Sequence, residues 1–308
     1  MTIEPVPAGQ RAFPPAAAAS PTDPLIDVAT LAAQLAGDTP PTVLDVRWRL
    51  GGPPGQADYL AGHLPGAVFL DLDADLCGPP GVGGRHPLPD PTELTQALRA
   101  AGVRQDRPVV VYDGGTADPA TRSAPRAWWT LRWAGLSQVR VLDGGFAAWV
   151  AAGQPVESGP VAPEPGDVTV TPAGLPVLAA ADAAAVAAEG VLLDARAPAR
   201  YRGETEPIDP VAGHIPGAVN LPLTELWHAD GRWRDPDGLR ARFGQAGIDP
   251  ARPVGAYCGS GVTAAGIVLA LHRVGRTDAQ LYVGSWSHWV TDPQRPVATG
   301  PAAAEEGA

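Results

Sequence analysis

The chain carries the same pair of motifs twice, and that repeat limits what it can fold into. Val43-Leu44-Asp45-Val46-Arg47 returns as Leu192-Leu193-Asp194-Ala195-Arg196, and Gly62-His63-Leu64-Pro65-Gly66-Ala67-Val68 returns as Gly213-His214-Ile215-Pro216-Gly217-Ala218-Val219. The second copies lie 149 residues (45 to 194) and 151 residues (62 to 213) downstream. Such spacings are too long for a solenoid and suit two tandem domains. With 308 residues and 45% hydrophobic content there is material for two cores, at one domain per ~150 residues. The expected division is a disordered tail over 1–24, a first domain over 25–152, a linker over 153–175, a second domain over 176–299 and a tail over 300–308. Five prolines and four glycines mark the linker, a composition that wraps a surface rather than forming a helix.

Short apolar runs alternate with amphipathic ones. In the first domain the pattern predicts helices over 27–35, 92–101 and 124–134, and strands over 43–46, 67–70, 109–112 and 139–142. Fully apolar strands separated by helices imply an α/β fold, a parallel sheet flanked by helices on both faces. Ligands in such folds bind beyond the carboxyl ends of the strands.

One cysteine falls at such an end. Val254-Gly255-Ala256-Tyr257-Cys258-Gly259-Ser260-Gly261-Val262-Thr263 reads as a buried strand, a cysteine and a Gly-rich loop. Residues 264–274 carry strong helix formers with some β-branched ones, and Gly275 is the stop, so the loop feeds a helix N-terminus. Unpaired N–H groups and the positive end of the helix dipole favour an anion there, and glycines let N–H groups turn inward around it. An anionic sulfur fits that cradle, which makes Cys258 the candidate nucleophile. The corresponding run in the first domain is Val110-Val111-Tyr112-Asp113, so Asp113 stands where the cysteine would be. A carboxylate is no substitute for a nucleophilic thiolate, and the first domain is expected to be catalytically silent.

Cys258-Gly259-Ser260-Gly261-Val262-Thr263, Asp194-Ala195-Arg196, the run 213–218 and the C-terminal Gly284-Ser285-Trp286-Ser287-His288-Trp289 together resemble the two-domain rhodanese family, the thiosulfate and 3-mercaptopyruvate sulfurtransferases. The resemblance covers roughly residues 25 to 299 and implies tandem rhodanese domains and a sulfurtransferase. Its implied reaction moves a sulfane sulfur from a small-molecule donor through a Cys258 persulfide to a thiol, a thioredoxin-type protein or cyanide, with no cofactor. A loop with Ser260 between two glycines resembles the mercaptopyruvate type, and thiosulfate preference is the alternative. The resemblance further implies that Asp73 and His86 reach across the domain interface to Ser260 as a proton relay; otherwise Ser260 would cap the helix locally. It assigns Arg200 to the donor's anionic group and Gly259, Gly261, Val262 and Thr263 to the donor pocket. Where some relatives hold a second substrate arginine, this chain has Glu206-Pro207-Ile208-Asp209-Pro210.

Other classes are less favoured. A Cys-dependent phosphatase needs Cys-x5-Arg to stabilise phosphoryl oxygens, and position 264 is alanine. A non-catalytic regulatory module would be expected to lack Cys258. The net charge of −11 without a Lys/Arg run argues against nucleic acid or anionic membranes as partners. There is no apolar run of ~18 residues to span a membrane and no signal-peptide core. Two cysteines, one per domain, cannot make a secreted disulfide framework and suit a reducing, cytoplasmic setting. No His, Cys and Asp grouping has metal-ligand spacing. His63 and His214 recur in both domains and are expected to hold turns, and Arg196 to pair with Asp194. Trp286 and Trp289, matched by Phe146 and Trp149, suit core packing.

Overall fold

The computed structural model describes residues 23–172 and 174–301; the expected tails lie outside them except for their inner edges. Each repeat folds into its own sheet. In the first, β1 (Leu25–Ile26), β2 (Thr42–Asp45), β3 (Val68–Phe69), β4 (Val109–Tyr112) and β5 (Val139–Leu142) stand in the order β1-β5-β4-β2-β3. In the second, β6 (Val191–Asp194), β7 (Val219–Asn220), β8 (Val254–Tyr257) and β9 (Gln280–Leu281) stand in the order β7-β6-β8-β9. Every pairing is parallel. Asp45 lies opposite Tyr112 and Asp194 opposite Tyr257, so Asp113 and Cys258 leave equivalent strands at the same point.

The helices repeat as well. The first half has α1 (Val28–Leu35), α2 (Gln56–Ala61), α3 (Pro91–Ala100), α4 (Ala124–Trp133) and α5 (Gly145–Ala151). The second has α6 (Ala180–Glu189), α7 (Pro198–Tyr201), α8 (Pro236–Gln245), α9 (Ala264–Arg273) and α10 (Ser285–Trp289). Both α3 and α8 open on Asp-Pro. The Asp90 and Asp235 carboxylates accept N–H groups of the first turn, and proline occupies the first position, where an N–H would be surplus. The expected first-domain elements stand within about two residues of their predicted bounds, a frayed-end difference; β1, α2 and α5 are additional.

Alternation within the strands decides which side meets the other half. Val109 and Val111 face one way, Val110 and Tyr112 the other, as a period of two requires. One buried cluster continues from the first sheet through Trp128 and Leu131 of α4 and Ile267 and Leu271 of α9 to Val254, Ala256 and Cys258. The helices α4 and α9 meet there, with Trp128 edge-on to His272 at 5.3 Å. Cys258 therefore lies on the side of its sheet that faces the other half. The described part of the linker runs without helix or extended strand and is tied to the first half, Arg99 Nε donating to the Val168 carbonyl at 2.8 Å. No helix among the described residues is long and apolar enough to cross a membrane.

The repeated Asp-x-Arg motif is a buried staple in both halves. Arg47 Nη2 donates to Asp45 and to the Gly62 carbonyl, each at 2.6 Å; Arg196 Nη2 donates to Asp194 at 2.6 Å and the Gly213 carbonyl at 2.7 Å. The guanidinium groups lie over Phe146 at 4.4 Å and Trp286 at 4.8 Å. His63 bonds to the Leu64 and Gly159 carbonyls and stacks on Tyr59, while His214 bonds to the Tyr201 carbonyl and stacks on Tyr201. Trp286 and Trp289 are buried in the outer core of the second sheet.

Candidate active site

The backbone around Cys258 is fixed from both sides. Its N–H donates to Ser285 Oγ at 3.0 Å, and that hydroxyl donates to the Tyr282 carbonyl at 2.8 Å. The carbonyls of Cys258 and Gly259 accept the N–H groups of Trp286 (3.0 Å) and Ser287 (2.8 Å) at the start of α10. Ser285 sits at φ 53°, a left-handed conformation costly for a non-glycine residue and kept by these surrounding bonds. Gly261, at φ +78°, passes so close to Val283 that a Cβ would lie 2.3 Å from its carbonyl oxygen. Only glycine fits, and its N–H donates to Cys258 Sγ at 3.2 Å. Val262 turns its side chain into the shared core, so it can offer the site only its backbone. Thr263 precedes α9 without a side-chain cap bond.

Asp73, His86 and Ser260 do come together. His86 Nδ1 lies 2.7 Å from Ser260 Oγ and Nε2 lies 3.1 Å from Asp73 Oδ1. Hydrogen bonding from His86 holds the Asp73 carboxyl below its usual range, against the pull of burial. An ionised carboxylate only accepts, so Nε2 carries a hydrogen, and in the neutral imidazole Nδ1 then offers its lone pair to the Ser260 hydroxyl. Trp48 completes the chain: its Nε1 donates to Asp73 Oδ2 at 2.8 Å, and its ring stands edge-on to His86 at 5.6 Å. From α4, the fully buried Arg126 donates to the His86 carbonyl at 3.0 Å, which anchors the strap that carries the imidazole. Ser260 is therefore joined across the interface rather than used as a local helix cap.

Arg200 reaches the same loop. It is gripped by Glu206, with Nε to Oε2 at 3.1 Å and Nη2 to Oε1 at 2.6 Å, and Nη2 lies 3.4 Å from Asp209 Oδ2. Arg85 pairs with the other oxygen of Asp209. The acids of 206–210 thus position two guanidinium groups. Cys77 is a different kind of thiol: burial pushes it up, away from the ionised form that reacts.

Sequence reasoning did not single out Trp48, Arg85, Arg126 or the distinct role of Ser285. Ser285 lay inside a quoted motif. For the other three, the only signal was proximity in sequence to Arg47, His86 and the helix after Asp113.

Asp113 closes its own cradle. One carboxylate oxygen accepts the Gly115 N–H at 2.9 Å and faces Arg122 Nη1 at 3.4 Å; the other accepts the Ala124 N–H at 3.0 Å. Arg122 is buried over Trp227 at 4.7 Å and donates to the Gly231 carbonyl at 2.9 Å. Both residues belong to the other half.

Residues 27–152 and 178–292 match the Rhodanese-like domain family. Over 284 residues the chain is 49% identical to a Mycobacterium tuberculosis protein provisionally named thiosulfate sulfurtransferase SseB, covering 90% of this chain and 98% of that one. Over 267 residues it is 50% identical to a Pseudomonas aeruginosa protein provisionally named 3-mercaptopyruvate sulfurtransferase, covering 84% and 92%. Its fold is similar to the crystal structure of SseA from Escherichia coli, described as a 3-mercaptopyruvate sulfotransferase, with TM-score 0.76, 35% identity, and coverage of 86% and 100%.

Proposed function

This chain belongs to the rhodanese family, and on that footing we propose that it is a sulfurtransferase working through a persulfide on Cys258, with 3-mercaptopyruvate as its preferred donor. The relatives carry names for both donors, so the names do not decide between them. The observation that carries the donor is the hydrogen-bonded chain Asp73, His86, Ser260 beside the cysteine.

Thiosulfate gives up its outer sulfur as sulfite leaves and has no proton to move. Mercaptopyruvate differs on both counts. Its transferable sulfur bears a hydrogen, and when the C–S bond breaks the electron pair falls on a methylene carbon that must gain one. In the proposed step the Cys258 thiolate attacks that sulfur, the S–S bond forms and the C–S bond breaks. Ser260, backed by His86 and Asp73, takes the thiol proton and returns it to the carbon, so pyruvate leaves and Cys258 keeps an anionic persulfide. The Gly261 N–H and its loop neighbours at Gly259, Val262 and Thr263 face that charge. Arg200 takes the donor's carboxylate, as a planar guanidinium suits. A small thiol, a thioredoxin-type protein or cyanide then removes the outer sulfur and restores the thiolate. We place the domains at 25–152 and 176–299 with a linker at 153–175, and the reaction in the cytoplasm, where Cys258 stays reduced.

Paired steady-state assays with the two donors test the reading, together with intact-mass measurement after donor alone. Higher kcat/KM on mercaptopyruvate and a gain of one sulfur atom are expected. A preference for thiosulfate would overturn the donor assignment, and no gain in mass would overturn the persulfide.

A further inference from the structure

We infer that Arg126, from the half without the nucleophile, is the counter-ion of the Cys258 persulfide, a positioning residue that holds the transferred sulfur as an anion between donor and acceptor. The inference rests on the persulfide reading above. Five arginines are buried among the described residues. Four of them pair with a carboxylate: Arg47 with Asp45 at 2.6 Å, Arg122 with Asp113 at 3.4 Å, Arg196 with Asp194 at 2.6 Å and Arg276 with Asp278 at 2.8 Å. Arg126, the fifth, meets only neutral acceptors among the described residues. Nε donates to Thr130 Oγ1 at 3.2 Å, Nη2 donates to the carbonyls of His86 and Pro87 at 3.0 and 3.5 Å, and buried Nη1 has no hydrogen-bond partner. A buried charge without an anion costs free energy.

Nη1 lies where an anion forms. A Cβ placed on Gly261 would be 2.9 Å from it, and the Gly261 N–H is the group that donates to Cys258 Sγ at 3.2 Å. Persulfide formation adds a charged sulfur about 2 Å beyond Sγ. The other cations at the loop are matched already: Arg85 and Arg200 by Asp209 and Glu206, Arg196 by Asp194, and His86 faces Asp73. Cys77 also lies in the field of Arg126, but burial outweighs that pull and keeps it a thiol. The two halves show the same need met differently. Asp113 takes its cation, Arg122, from its own loop, two residues before α4; the residue two before α9 is Val262, so the cysteine loop brings no cation of its own. The third residue of α4 is Arg126, whereas that of α9 is Gly266, where a Cβ would lie 2.7 Å from Leu223. Each loop is thus served by one buried arginine, across the interface in the case of the cysteine.

Thiosulfate tests this without the relay: the thiolate attacks the outer sulfur, a new S–S bond forms, the old one breaks, and sulfite leaves with its electron pair. Full-length wild type, Arg126→Met and Arg126→Lys are equilibrated at a fixed ratio of thiosulfate to sulfite, and the persulfide fraction is read by intact mass. Arg126→Met is expected to lower the equilibrium constant about tenfold or more, and Arg126→Lys, which keeps the charge without the fork, to stay within about threefold of wild type. A purely structural Arg126, anchoring only the His86 strap, would slow transfer from mercaptopyruvate and leave this equilibrium unmoved in both variants, which would overturn the inference. Should Arg126→Met not fold, wild type decides. Loading with sulfur should raise its melting temperature by about 3 °C or more, with no rise in thiosulfate-treated Cys258→Ser; an unchanged melting temperature on full loading would overturn the inference. A wild type that gains no sulfur from thiosulfate or mercaptopyruvate would overturn the persulfide reading itself.

Discussion

After Cys258 the chain needs five residues, 259–263, to reach α9; after Asp113 it needs ten, 114–123, to reach α4. The two loops share their outer geometry. The carbonyls of Asp113 and Gly114 accept N–H groups from Phe146 and Ala147, as those of Cys258 and Gly259 do from Trp286 and Ser287. The centres differ. In the short loop an N–H points at a sulfur, whereas in the long one the Asp113 carboxylate takes the N–H groups itself and Arg122 seals the space against Trp227. Each half covers the other's loop with the segment that follows its β3 or β7 strand: His86 lies on the cysteine loop, and Gly231 and Trp233 lie on the aspartate loop. One fold thus holds the proposed reaction site in one copy and an interface plug in the other. The difference lies in whether the anion belongs to the chain or is carried by it.

The largest effect should come from the nucleophile. Cys258→Ser should abolish transfer from either donor and all mass gain, with little change in melting temperature, because a hydroxyl is a far weaker nucleophile at neutral pH. Residual turnover would mean that the two loops do not differ as described. The converse change, Asp113→Cys in a Cys258→Ser background, should gain no sulfur by intact mass, since restoring a thiol does not restore the short loop. Asp113→Ala should leave transfer intact but cost about 3 kcal/mol in denaturant unfolding, from orphaned N–H groups and an unpaired buried Arg122. A smaller effect concerns the seam between the halves. His272 in α9, at the position Arg132 holds in α4, is pulled down to about 4 by burial first and Arg132 second. It stays neutral when folded and takes a proton below its ordinary 6.5 when unfolded, so the unfolded state binds more protons in that window. Stability should fall as pH drops from 6.5 toward 4, by about 2 kcal/mol at pH 5. Melting curves of His272→Leu should lack that portion of the slope; an unchanged slope would assign it elsewhere.

The parallel sheets and the cysteine loop were legible because their signals are local: apolar runs of four residues, and a Cys-Gly-Ser-Gly turn feeding a helix. Asp73 and His86 were reachable through family resemblance alone, since Ser260 lies 174 positions beyond His86 and no periodicity links them. Trp48, Arg85 and Arg126 were not legible. Arg85 follows a Gly-rich run that reads as a solvated turn, and Arg126 sits in a helix whose burial, including its charged position, is produced by packing α4 on α9. Both acquire meaning from the contact between halves. The acids of 206–210 read as a departure from the expected arginine, and their pairing with Arg85 and Arg200 needs the folded interface to be seen.

In the proposed mechanism the half without Cys258 supplies the proton relay for a sulfur that bears a hydrogen. Single-turnover persulfide formation in His86→Ala, measured with each donor, tests it most directly. A slowing of about a hundredfold or more is expected with mercaptopyruvate, and a thiosulfate rate within about twofold of wild type, since thiosulfate offers the relay no proton. Equal slowing with both donors, or no slowing with mercaptopyruvate, would contradict it.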